Sequence, residues 1–166
     1  MTISPIESGE RCMQRVTNCI LINNGSILLL KKPRRGWYAI PGGKMEQGEL
    51  VKEAVLREYS EETGLRLVEP QLCGIFTFSI YEADKLIREW MMFTFRATSY
   101  EGELIHACPE GDLEWVPIDS IPSLPMAEGD RSIFEHVLQS EQILYGNFSY
   151  TTDDKLLASK LDPAGN

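Results

Sequence analysis

The chain is short of positive charge, of histidine and of paired cysteines, and each shortage removes a class of function. Its 166 residues carry 25 acidic against 16 basic side chains, a net charge of −9. Tight non-specific binding to duplex DNA rests on a lysine and arginine surface, so this balance disfavours it. The two histidines, His106 and His136, are isolated and belong to no catalytic or zinc motif. The four cysteines (Cys12, Cys19, Cys73, Cys108) form no CxxC pair and no disulfide-like spacing. That points to reduced thiols in a cytoplasm and away from a zinc site. No apolar run approaches the ~20 residues of a membrane span, and the first residues lack the apolar core of a secretory signal. With 43% hydrophobic residues and no repeat, what remains is one soluble domain, large enough to bury roughly two-thirds of its unfolded surface. The expected organisation is an N-terminal extension over 1–14 and a single domain over 15–163, cytoplasmic, without a membrane partner, a monomer or a homodimer.

Two β-rich runs, Arg15 to Ile22 and Ser26 to Lys31, flank Asn23-Asn24-Gly25, a hairpin signal because Asn and Gly both accept positive φ. Trp37 to Ile40 reads as strand, broken by Pro41 and two glycines. A helix is predicted from about Glu49 to Thr63, stopped by Gly64, with Val51, Ala54, Val55 and Tyr59 inward. Leu72 to Ile80 and Leu86 to Thr98 read as strands joined by a polar turn, and Asp112 to Ile118 as another. A second helix is predicted over Asp130 to Gln139, with Asp130 a plausible N-cap. A final hairpin pairs Gly146 to Thr151 with Lys155 to Leu161. Strands and two helices in this order predict an α/β (α+β) domain, a mixed sheet between helices.

The densest signal is Gly43 to Leu65, GKMEQGELVKEAVLREYSEETGL. Glu58, Glu61 and Glu62 stand three and four apart, so their carboxylates share one helix face. Such like charges repel by a few tenths of a kcal/mol per pair, roughly, on an isolated helix. A hard divalent cation, Mg²⁺ or Mn²⁺, turns that repulsion into binding, because oxygen-only ligands suit these metals.

The whole pattern resembles the signature of the Nudix hydrolases: Gly, five residues, Glu, seven residues, Arg-Glu, an aliphatic, any residue, Glu-Glu, any residue, Gly, an aliphatic. Gly43, Glu49, Arg57, Glu58, Glu61, Glu62 and Gly64 occupy its fixed positions. Tyr59 departs from it, standing where an aliphatic is preferred; a tyrosine there is expected to bury its ring and keep its hydroxyl near solvent. The resemblance implies the α/β/α sandwich of the Nudix fold. It implies that Glu61 and Glu62 ligate Mg²⁺ or Mn²⁺, that Glu58 ligates or serves as general base, and that the Gly42 carbonyl adds a ligand. Arg57 is expected to orient a carboxylate, Glu49, by a bidentate contact rather than to touch phosphate. Lys44, directly after the glycines, is a substrate-binding candidate.

Further segments resemble the MutT-like branch. Glu110, five residues before Trp115, matches a glutamate that completes the metal site or acts as base there, with Glu114 competing for the role. Pro125 to Asp130 resembles the oxidised-purine nucleotide sanitisers, in which a tryptophan near Ala127 stacks on the base and an acid matching Asp130 reads the purine edge. The tryptophan is absent here; Met126 offers a softer contact. Phe76, Phe78 and Trp90 are alternative stacking candidates or core residues. Tyr38 reads as packing. The basic run Lys31-Lys32-Pro33-Arg34-Arg35 reads as a solvated loop or as a contact for phosphate or an RNA 5′ end.

The expected function is pyrophosphohydrolysis of a purine nucleoside triphosphate, plain or oxidised (8-oxo-dGTP, 8-oxo-GTP), to monophosphate and pyrophosphate. Triphosphorylated RNA 5′ ends and guanosine alarmones are alternative substrates of the same reaction class. A non-catalytic nucleotide-sensing module is the alternative of another class, and the complete set of glutamates argues against it.

Overall fold

The computed structural model describes residues 13–165. Residues 1–12 of the predicted extension, with Cys12, lie outside the described residues, and strand begins at Gln14 rather than at Arg15. In chain order the elements are β1 (Gln14–Asn23), β2 (Ser26–Lys31), β3 (Tyr38–Ala39), β4 (Gly42–Lys44) and α1 (Val51–Thr63). After them come β5 (Leu65–Leu67), β6 (Gln71–Glu82), β7 (Lys85–Ala97), β8 (Tyr100–Gly102) and β9 (Asp112–Pro117). A 3-10 turn over Ile118–Ser123 leads to α2 (Glu128–Gln139), β10 (Leu144–Thr151) and β11 (Leu156–Asp162).

The main sheet runs β11-β10-β6-β7-β1-β2-β3, with β4 paired to β1 and β9 to β2. It is mixed: β1 lies parallel to β7 and β10 parallel to β6, while the hairpins are antiparallel. The turn between β1 and β2 closes at Asn24 and Gly25, φ 49° and 75°, the left-handed pair that an Asn-Gly signal requires.

Each face of the sheet carries its own core. Under α1 lie Cys19, Leu21, Leu28, Val55, Tyr59, Leu65 and Phe95. Under α2 lie Ile20, Phe76, Phe78, Met92, Ile133, Phe134, Val137 and Phe148. Successive residues of β1 therefore feed opposite cores, as period-2 strand geometry dictates. Removing a large apolar side chain of this kind from water stabilises by about 1.5–3 kcal/mol. The result is the α/β/α sandwich predicted.

Four local expectations are corrected. The glycines after Pro41 do not merely break a strand; Gly42 to Lys44 is itself a strand held in register against β1, Asn18 facing Gly42 and Thr17 facing Gly43. The Tyr59 hydroxyl is not near solvent: the residue is 0% exposed, because position 59 points at the sheet. The N-cap of α2 is Ala127, so Asp130 is the third helical residue and not the cap. Helix α1 starts at Val51, with Leu50 as its N-cap. The Leu50 side chain has no acceptor to offer the first turn; its N–H donates to Glu53 Oε2 at 2.9 Å and its carbonyl accepts from the Ala54 amide at 3.0 Å. Leu50 is also 66% exposed. Leu50→Ser should therefore raise stability by about 1 kcal/mol, read as a melting-point increase of roughly 2–4 °C.

Candidate active site

The site is built around one guanidinium. Arg57 projects from α1 and donates from Nε to Glu49 Oε1 at 2.5 Å and from Nη2 to Glu49 Oε2 at 3.0 Å. The fork-on-fork pair fixes the loop between β4 and α1. From Nη1 it donates to Glu58 Oε1 at 2.8 Å and to Glu61 Oε2 at 3.2 Å, and from Nη2 to the Lys44 carbonyl at 3.0 Å. Arg57 thus spans the end of β4 and the acidic face of α1. Its hydrogen bonds, with that from the Glu46 amide, hold the Glu49 carboxyl down at about 2. Glu49 is therefore a fixed anion, and the geometry gives it an anchoring role rather than a proton-transfer one.

The glycines set how close α1 comes to β4. A Cβ on Gly43 would fall on the Glu58 carboxylate, and one on Gly42 would overlap the Thr17 carbonyl and stand 2.5 Å from Asn18 Cα. Only glycine allows both approaches, which is why the pair precedes the helix. Lys44 follows with its side chain exposed.

Glu62 lies on the same helix face, half-buried. Burial pushes its carboxyl up to about 7; Lys32 opposes the shift, and the charges of Glu110 and Glu58 add to it. Glu110, distant in sequence, is thereby brought to the glutamates of α1, and Lys32 stands 3.5 Å from it. Lys32 belongs to the basic run read as a solvated loop or as a phosphate contact, and the pairing of β2 with β9 sets it beside Glu110. Glu114 instead accepts from the Tyr38 hydroxyl at 2.8 Å and is drawn away from this group.

The donor chemistry fits a hard divalent cation: carboxylates of Glu58, Glu61, Glu62 and Glu110 beside the Gly42 backbone, with surplus negative charge at a half-buried carboxylate. Among the described residues, no three acidic, thiol or imidazole groups converge on a common point, since Glu58 and Glu61 are turned to Arg57.

The base-binding candidates lie on the other face. Phe78 is 6% exposed, and its ring is covered by Trp90 at 5.3 Å and by Phe148 at 5.3 Å. No face of it is open for a nucleobase, so Phe78 is a core residue. Arg88 in turn covers Trp90, its guanidinium 4.9 Å from the ring centre. Phe76 is fully buried, and Met126 is 4% exposed. Asp130 is half-buried by surface, and its carboxylate has no hydrogen-bond or ion-pair partner among the described residues. It stands beside Tyr150, whose hydroxyl accepts from the Gly129 amide at 2.7 Å.

Burial pushes the Asp130 carboxyl up to about 7 from an ordinary 3.8. The folded chain thus keeps a proton that the unfolded chain loses between about pH 4 and 7, and stability falls as pH rises through that window. The full shift corresponds to a ceiling of about 4 kcal/mol, which residual solvation reduces to roughly 2. Asp130→Asn should remove this slope; urea midpoints of both proteins at pH 4.5 and 7.5 check it.

Comparison with known proteins places this arrangement. The NUDIX domain family matches residues 13–137. The Nudix hydrolase YvcI of Bacillus subtilis is 50% identical over 151 residues, covering 91% of this chain and 96% of that one. An oxidized purine nucleoside triphosphate hydrolase of Danio rerio is 31% identical over 150 residues, covering 89% and 93%. The crystal structure of a mutator MutT protein from Bacillus halodurans superimposes with a TM-score of 0.90 at 54% identity, covering 92% of this chain and all of that one. Nudix enzymes act with divalent metal ions on nucleotide substrates, and the chain belongs to the Nudix hydrolases.

Proposed function

We propose that the enzyme hydrolyses a purine nucleoside triphosphate, plain or oxidised at C8, to the monophosphate and pyrophosphate, with Mg²⁺ or Mn²⁺. The observation that carries this reading is the face of α1 bearing Glu58, Glu61 and Glu62 beside the Gly42–Gly43 strand, with Glu110 within electrostatic reach of Glu62. Glu58, Glu61 and Glu62, with the Gly42 carbonyl, would hold the cation, and Glu110 would complete the set. When bound, it supplies neutralisation of the phosphoanhydride charge and acidifies water. Arg57 orients Glu58 and Glu61 through its hydrogen bonds. The proton of the attacking water passes to a carboxylate oxygen of Glu58 or Glu110. Lys32, already placed against Glu110 and Glu62, gives the phosphates a cation within the same group.

At the other end, Asp130 is the candidate reader of a purine edge: an unpartnered carboxyl in a half-buried setting can donate as well as accept. The Danio rerio relative, named for oxidised purine nucleoside triphosphates, supports this substrate class. The basic run favours a compact substrate over an RNA end. Lys32 belongs to the glutamate group itself; beyond it, Arg35 is paired with Asp154 and Lys31 lies over the Tyr38 ring. Arg34 alone of the four makes no such contact among the described residues.

The test is product analysis with dGTP, 8-oxo-dGTP, GTP, a guanosine tetraphosphate and a triphosphorylated short RNA, each with Mg²⁺ and with Mn²⁺. Highest kcat/KM on a nucleoside triphosphate with release of pyrophosphate supports the reading; preference for the RNA or the alarmone overturns it. Glu61→Gln should abolish turnover while sparing the fold, and full activity in that variant would sink the metal assignment.

A further inference from the structure

Tyr59 is the one position of the glutamate motif that departs from the family pattern, and its side chain is fully buried among Cys19, Leu21, Leu28, Val55 and Leu65. A phenylalanine would fill that core equally well. The hydroxyl instead stands among apolar groups with no hydrogen-bond partner, a state that destabilises a fold because the buried donor has lost its water and gained nothing. Thr63, one turn further along α1, turns its hydroxyl to the Tyr59 carbonyl at 2.6 Å. Glu62 is three residues further along α1, a neighbouring position on a helix, and Glu62 and Cys19 are the polar groups whose fields reach the hydroxyl.

We propose that the Tyr59 hydroxyl is a positioning donor for the Glu62 carboxylate, holding it from the core side when Glu62 faces a divalent cation. The two groups are not bonded in the present geometry, in which Glu58 and Glu61 are likewise turned to Arg57. Ligating carboxylates are oriented by hydrogen bonds from a surrounding layer of donors, and a bond from a neutral hydroxyl to an ionised carboxylate is stronger than one between two neutral groups. The hydroxyl, without a partner in this geometry, would gain one in the carboxylate that holds the cation. The proposal rests on Glu62 being a metal ligand, as in the function proposed above.

The experiment uses the full chain without nucleotide. Mn²⁺ affinity and the melting temperature of the metal-free protein are measured for wild type, Tyr59→Phe, Glu62→Gln and the double variant. Tyr59→Phe is expected to melt roughly 2–4 °C higher without metal and to bind Mn²⁺ about tenfold more weakly. In the Glu62→Gln background the same change should cost no further affinity. Unchanged Mn²⁺ affinity in Tyr59→Phe, or an equal further loss in the double variant, overturns the positioning role while leaving Glu62 a ligand. Unchanged affinity in Glu62→Gln overturns the ligand assignment and the positioning role with it.

Discussion

Alanine at Gly43 will leave the chain folded but about a hundredfold less active, whereas alanine at Gly42 will damage the fold itself. The difference lies in what each new methyl group would strike. At Gly43 it meets the carboxylate of Glu58, the far end of a flexible side chain. Glu58 can swing aside at little cost in stability, but it then leaves the hydrogen bond to Arg57 and the face it shares with Glu61 and Glu62. At Gly42 the methyl group meets the backbone of Thr17 and Asn18, which belongs to β1, the strand that pairs with β2, β4 and β7. No side-chain rotation relieves that clash, so the strands must part, at a cost of about 3 kcal/mol. Urea midpoints together with kcat/KM separate the two outcomes. Equal loss of stability in both variants would show that Gly43, too, is a structural glycine.

Arg57→Lys should lower kcat/KM by roughly two orders of magnitude, a charge-conserving change with the effect of a deletion. A lysine ammonium is a single point of charge on a flexible stem. It cannot reproduce the planar fork on Glu49 together with bonds to Glu58, Glu61 and the Lys44 carbonyl. The loss should appear as a higher Mg²⁺ concentration for half-maximal activity and a lower kcat, with nucleotide KM little changed, because the Arg57 donors are already spent on carboxylates and the Lys44 carbonyl. A variant that raised nucleotide KM alone would instead place Arg57 on phosphate.

Those two positions show why the acidic half of the site could be read from the chain. Gly43, Glu49, Arg57 and the glutamates of α1 lie within one local segment, and helix spacing alone brings Glu58, Glu61 and Glu62 to one face. The Arg57–Glu49 contact follows from the same local geometry. The bond from Tyr38 to Glu114, by contrast, spans 76 residues, and the approach of Lys32 to Glu110 depends on β2 pairing with β9; no local pattern encodes either. The glycines were visible as a strand break, but not as part of β4, since close approach to Thr17 and Glu58 exists only after the sheet has formed. Aromatic strands carried a different ambiguity. Phe78 alternates in the chain as a binding residue would, and only the stacking of Trp90 and Phe148 against it decides for the core. The Tyr59 hydroxyl was misplaced because motif spacing gives the direction of a side chain but not the depth of what covers it.

The separation of the two cores has a consequence for how such an enzyme diversifies. The carboxylates hang on α1 and rest on the layer of Cys19, Leu21 and Val55, while Asp130 and Met126 rest on the layer of Ile20, Phe76 and Phe148 across the sheet. Under the proposed function, changes at α2 that alter which nucleoside is accepted need not repack anything beneath the glutamates. Effects of substitutions in the two layers should therefore combine additively, as they do at sites without shared partners. Selection can in this way revise the choice of substrate while inheriting the hydrolytic apparatus intact.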